Sequence, residues 1–185
     1  GIIEGKPDGS YAPTENVDRA QMAKMLSVIM NKGVDNSALY QSVNSGLTDI
    51  TSNWAKGHIN YCYTTGIIAG RGNGTFDPSA TVTALEAAKM LLVAVGYDPK
   101  IEGFEGADWA INVSVRADEQ GIFEGFTKDL SAPLNRDDAA LLIYNALDVE
   151  MIQSYTTNNY PIAYSDHRTI LADKYGVIKV QGVVV

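Results

Sequence analysis

Apolar residues recur along the chain in short blocks at helical spacing. Ala55, Ile59 and Cys62 fall at i, i+4 and i+7, one stripe that predicts a helix after Trp54. Ala110, Val113 and Ala117 mark an equivalent stripe after Trp109. Leu85, Ala88, Leu92 and Val95 form the buried face of a second kind of helix. For the first kind, Ser52 or Asn53 is the expected N-cap and Gly66 the expected left-handed residue past the end. The second kind starts more sharply. Asp18 and Gln21, Thr83 and Glu86, and Asn135 and Asp138 are each spaced as N-cap and third helical residue. Thr83 with Glu86 is a proper capping box, the other pairs looser versions. Between the helices run glycine-rich loops, where Phe76 and Tyr11 are expected to plug the core. Gly9 and Gly74 are expected turn residues. Pro13, Pro78 and Pro133 discourage a helix just before them.

These blocks belong to an internal repeat. "GIIEGKPDGSYAPTENVDRAQMAKML" from Gly1 aligns without a gap on "GIIAGRGNGTFDPSATVTALEAAKML" from Gly66. A more worn copy, "GIFEGFTKDLSAPLNRDDAALLI", starts at Gly121 and is shorter between Pro133 and Leu134. Upstream of the last two copies, "WAKGHINYCYTTG" and "WAINVSVRADEQG" keep the same count from Trp to Gly. The chain therefore divides into the second half of repeat one (1–33), a polar linker (34–45), repeat two (46–97), repeat three (98–148) and a tail (149–185). A helix pair with an unburied apolar face should pack on its neighbours. The expected fold is mainly α, three helix-loop-helix repeats in a pseudo-threefold bundle, although periodicity alone does not separate closure from an open stack. The tail is turn-rich, then valine-rich in "YGVIKVQGVVV", predicting a partly β segment that begins a following domain. The first residue is not Met and the first copy opens at its closing glycine, so a fragment is expected. The helix from about Asp18 to Asn31 would then lack a partner for Ala23, Leu26 and Met30. An upstream segment, the tail or another chain is expected to cover that face.

Composition narrows the chemistry. The 185 residues are 45% hydrophobic with a net charge of -8, a poor balance for general nucleic-acid binding. The lone Cys62 excludes an internal disulfide framework and lies on a buried stripe. No apolar run approaches the roughly 20 residues that span a bilayer. His58 and His167 lack metal-ligand spacing, and nothing calls for a cofactor. "GRGNGTFDP" lacks the Lys-Ser/Thr of a phosphate-binding loop, and no carboxylate pair is marked for hydrolysis.

The repeat resembles the S-layer homology domain of bacterial surface proteins. The resemblance rests on Leu47, Asp49, Ile50, Trp54, Ala55 and Ile59, then "GIIAG", "GNGTFDP" and "VTALEAAKML" in copy two. Copy one supplies "GIIEG", "PDGSYAP" and "VDRAQMAKML"; copy three supplies Phe104, Trp109, Ala110, "GIFEG" and "LNRDDAALL". It covers about residues 1 to 148. It implies a secreted Gram-positive surface protein, a three-pronged helical bundle, and non-catalytic binding of secondary cell wall polysaccharide, often through a pyruvylated sugar. The family's binding arginine transfers only to Arg19 and Arg136; copy two has Ala84 there.

Those arginines raise a physical question. A cation at the first helical position faces the positive end of the helix dipole. An anion would reverse the sign, because free backbone N–H groups and a guanidinium could converge on one carboxylate. The plainer alternative is an arginine paired with a local acid such as Glu15 or Asp137. Lys6, Asp8, Arg71 and Asn73 occupy neighbouring places in the loops and could add polar contacts, with Trp54 and Trp109 as an aromatic floor or as packing residues. Ala84 predicts at most two working sites of this kind. The second functional expectation is a worn scaffold for assembly with itself or another surface protein.

Overall fold

The computed structural model describes residues 2–6 and 8–177. Among the described residues six helices dominate: α1 (Arg19–Met30), α2 (Lys56–Thr64), α3 (Ala84–Ala94), α4 (Trp109–Glu119), α5 (Arg136–Ala146) and α6 (Ile170–Tyr175). A 3-10 turn covers Ser37–Tyr40, and strands β1 (Ile152–Tyr155) and β2 (Pro161–Ala163) pair antiparallel. The chain is mainly helical with a small sheet near its end, as the sequence predicts.

Local chemistry sets the helix starts. Asp18 accepts from the Gln21 N–H while Gln21 accepts from the Asp18 N–H, a full capping box that matches Thr83 with Glu86. Asn135 accepts from the Asp138 N–H, and the Asp138 carboxylate turns to Lys128. The start of α2 differs from expectation. Ala55 holds the cap position without a side-chain bond, and Asn53, two residues before it, accepts from the Ala55 N–H at 2.8 Å. Gly66, at φ 79°, ends this unit in the left-handed conformation.

A ring of backbone hydrogen bonds joins the repeats. The Val17 N–H donates to the Leu134 carbonyl at 2.8 Å, Leu134 to Val82 at 2.7 Å, and Val82 back to Val17 at 2.9 Å. Bridges Asn16–Asn135, Asp18–Thr81 and Thr83–Pro133 flank the ring with the same cyclic order. All three central residues are buried. A ring of this kind closes only with threefold pseudosymmetry, so the repeats form a closed bundle. The bridges also set the loop register. Pro133 stands where Thr81 and Asn16 stand, and Leu130 stands where Pro78 does. The third loop is therefore shortened ahead of Leu130, not between Pro133 and Leu134.

Helices pair across repeats. α1 packs on α2 and α3 on α4, so the second helix of one repeat meets the first helix of the next. This corrects the expectation that α1 lacks its partner helix: α2, which is not among the expected covers, packs on it. Ala23 and Leu26 are fully buried, with the Cys62 thiol of α2 against the Ala23 carbonyl. The tail adds a second cover, where the Tyr175 hydroxyl donates to the Ile29 carbonyl at 3.2 Å. Met30 stays partly exposed. The linker seats on α2 at Gly57, where a Cβ would lie 2.1 Å from the Ser37 carbonyl oxygen. Phe76 is fully buried as expected of a core plug, whereas Tyr11 is 38% exposed.

The hairpin is latched to the α3–α4 prong. The Ile152 N–H donates to the Val95 carbonyl, and the Tyr155 hydroxyl accepts from the Asp98 N–H and donates to Glu102. Arg116 of α4 holds the other oxygen of Glu102. Tyr175 ends α6 and Gly176 caps it in the left-handed conformation, so the start of the expected valine-rich strand is helical. The rest of that strand, and the domain start inferred from it, lie outside the described residues.

His58 links α2 to α1. Ser27 donates its hydroxyl proton to the Lys24 carbonyl, and so accepts from His58 Nδ1 at 2.6 Å. Burial pushes the His58 pKa below the usual histidine value and Lys24 adds to that, against the opposing pull of Asp35 and Glu4. The unfolded chain therefore takes up a proton first. Stability is held above about pH 6.5 and falls as the pH drops below it, by at most about 1.4 kcal/mol per pH unit from this group. Thermal melts at pH 7.5 and 5.5 will show a drop in Tm for the native chain, and a smaller drop for His58→Gln.

Candidate functional site

The first turn of α1 explains its arginine. Four carbonyls of the repeat-two loop converge on it. The Arg19 N–H donates to Ala80 and the Ala20 N–H to Pro78, both at 2.9 Å. The guanidinium donates through Nε to Phe76 at 2.8 Å and through Nη2 to Ala69 at 2.9 Å. It also lies 4.3 Å from the centre of the Phe76 ring. Carbonyl oxygens thus offset both the helix dipole and the side-chain charge. Arg19 is only 5% exposed, and its nearest carboxylate is Glu86 at 3.9 Å, not Glu15. Burial first, then Arg71, brings its pKa down to about 10, so it remains a cation at neutral pH.

Arg136 repeats the arrangement. Its N–H and that of Asp137 donate to Glu15 and Pro13, and its guanidinium donates to Tyr11 and Glu4. The Tyr11 ring centre is 5.2 Å away. Each arginine therefore grips the loop of a neighbouring repeat. The N–H groups at these helix starts, which an anion site would need, donate to carbonyls or cap side chains. Ala84 fits the same logic. It is fully buried at the start of α3, which faces the shortened third loop through a Leu85 N–H bond to Leu130. In that loop the Glu124 carbonyl, equivalent to those of Ala69 and Glu4, accepts instead from Asn145. The short loop and the missing arginine thus meet at one interface.

Asp49 secures the repeat-two loop from the other side. It accepts from the N–H groups of Phe76 at 2.9 Å and Asp77 at 2.7 Å. Burial opposes its ionisation, but these two bonds together hold its pKa below the usual carboxylate value.

Beside Arg19 opens a groove of about 560 Å³ between the repeat-two loop, α3 and the approach to α4. That volume suits a small ligand. It brings together Arg19, Arg71 and Trp109 of the residues singled out in sequence, and adds Glu86, Lys89 and Glu105. Arg71 bonds Glu86 at 3.2 Å and lies 3.7 Å from Asp77. The Lys89 ammonium sits 5.7 Å from the Trp109 ring centre. The other candidates lie elsewhere. Lys6 pairs with Glu15, and Asp8 accepts from the Ser10 N–H to shape its own turn. Asn73 does the same for Thr75. Trp54 is 58% exposed and among the described aromatic rings meets the edge of His58.

Comparison with known proteins places this architecture. The S-layer homology domain model matches residues 1–23 and 46–88. Residues 1–23 and 46–88 therefore carry S-layer homology sequence. Its third repeat lies outside the matched residues and is tied to the others by the backbone ring. A cell surface protein of Thermoanaerobacter kivui is 29% identical over 153 residues, covering 82% of this chain and 19% of that protein. An S-layer protein of Bacillus licheniformis is 33% identical over 103 residues, 56% of this chain and 11% of that protein. An amylopullulanase of Thermoanaerobacterium thermosulfurigenes is 30% identical over 162 residues, 80% of this chain and 8% of that enzyme. The chain thus spans about a fifth or less of these relatives. Family and relatives support a cell-wall anchoring role and a bacterial cell-surface location.

Removing the Arg19 side chain leaves two loop carbonyls without their donor. Arg19→Ala is expected to cost about 2–4 kcal/mol, which lowers Tm by about 5–15 °C for a chain of this size. Arg19→Lys will recover little, because a point charge cannot fork two carbonyls. Arg136→Ala, at a more exposed interface, will cost about half as much. Differential scanning calorimetry checks all three.

Proposed function

We propose that this module tethers its parent protein to the wall of a Gram-positive-type bacterium by non-covalent, non-catalytic binding of an acidic secondary cell wall polysaccharide, pyruvylated at its sugars. One observation carries the reading. In a chain of net charge -8, the groove beside Arg19 gathers three cations, Arg19, Arg71 and Lys89, against two carboxylates, Glu86 and Glu105, next to a tryptophan. An aromatic face with nearby cations suits a sugar ring that carries an acid. No helix among the described residues is long and apolar enough to cross a membrane, and wall attachment of this kind requires none.

Sedimentation with purified cell walls tests the reading. The chain will co-sediment with native walls and lose most of that binding once the secondary polysaccharide is stripped. Equal binding to both preparations would sink it and favour assembly with a protein partner.

A further inference from the structure

The three second helices carry equivalent positions in very different states. One turn beyond the capping box stand Lys24 in α1, Lys89 in α3 and Leu141 in α5. Lys24 bonds the Glu4 carboxylate, which projects from the adjoining loop. In repeat two the position of Glu4 is taken by Ala69. Lys89 consequently makes no ion pair among the described residues, and its ammonium stands against the Trp109 ring in the groove. Its pKa is lowered, by burial first, with Glu105 as the leading opposing influence. The third position has no cation.

The other groove cations are engaged. Arg19 donates through Nε and Nη2 to loop carbonyls, and Arg71 bonds Glu86. We propose that Lys89, with Trp109 beneath it, is the contact for the acidic group of the polysaccharide, and that Arg19 is a positioning residue that shapes the groove wall. The sugar ring lies on the indole and its carboxylate meets the ammonium. Repeat one neutralises itself through Glu4 and repeat three is apolar, so the described residues hold one such site, not two.

This inference rests on the anchoring reading above, and one set of measurements separates them. The probes are purified secondary cell wall polysaccharide, native and after mild acid removal of its pyruvyl ketals, titrated calorimetrically into the chain. The native chain will bind the intact polymer at least tenfold more tightly than the treated one. Lys89→Met will bind both equally, at the weaker level, with unchanged Tm. Ala69→Glu places a carboxylate beside Lys89 from an exposed loop position, as Glu4 does beside Lys24, and will have the same effect with the ammonium still present. Lys89→Arg will restore the preference. If Lys89→Met and Ala69→Glu keep the tenfold preference, this assignment is overturned while anchoring stands. If the native chain binds neither polymer, both are overturned.

Discussion

Three backbone hydrogen bonds in a cycle, Val17 to Leu134 to Val82 and back, are the constraint on which the rest of this molecule depends. They are buried, so no water can replace a lost partner, and each donor residue is also the next acceptor. The N-caps beside them, Asp18, Thr83 and Asn135, all adopt extended backbone and accept from the third helical N–H. That geometry lets the chain pass straight from a ring strand into a helix. It also delivers each helix start to the loop of a neighbouring repeat, where carbonyls wait for the first N–H groups. The arginine clamps therefore follow from the ring.

The starts of α1, α3 and α5 were legible in the sequence because capping is local: a short polar side chain and a partner three residues on suffice. The arginine's partners were not legible. Backbone carbonyls carry no residue signature, so a clamp made of Phe76 and Ala69 oxygens leaves only the arginine to be seen, and an anion was the natural partner to expect. Asn145 was hidden for the same reason, since its acceptors are the Ile122 and Glu124 carbonyls. Pro133 misled the loop alignment by resembling Pro13 and Pro78, although the bridges give it another place. Helix pairing was misplaced because an amphipathic stripe shows that a face is buried, not against what. In the tail, the turn-rich stretch forms a hairpin where strand was expected only in the valine-rich end, and its attachment through Tyr155, Glu102 and Arg116 joins residues far apart in sequence.

Lys89 was missed on different grounds. A lysine within an amphipathic helix reads as solvated, and Lys24 looks the same in sequence. The difference between them lies in one residue of a distant loop, Glu4 against Ala69. Three copies of one unit have thus reached three electrostatic outcomes: a neutralised pair, an open cation beside tryptophan, and an apolar position. The fold tolerates this drift because the ring and the helix caps do not involve the drifting positions.

Pairing across repeats makes the unit that recurs in the sequence different from the unit that packs. α1 with α2 and α3 with α4 each straddle a repeat boundary. The seams of the sequence run through the middle of the packed prongs, and the joints between prongs fall inside repeats, at the glycine loops. Excising one repeat would split two prongs and leave two half-covered helices. Cutting at the glycine loops would instead separate the prongs whole.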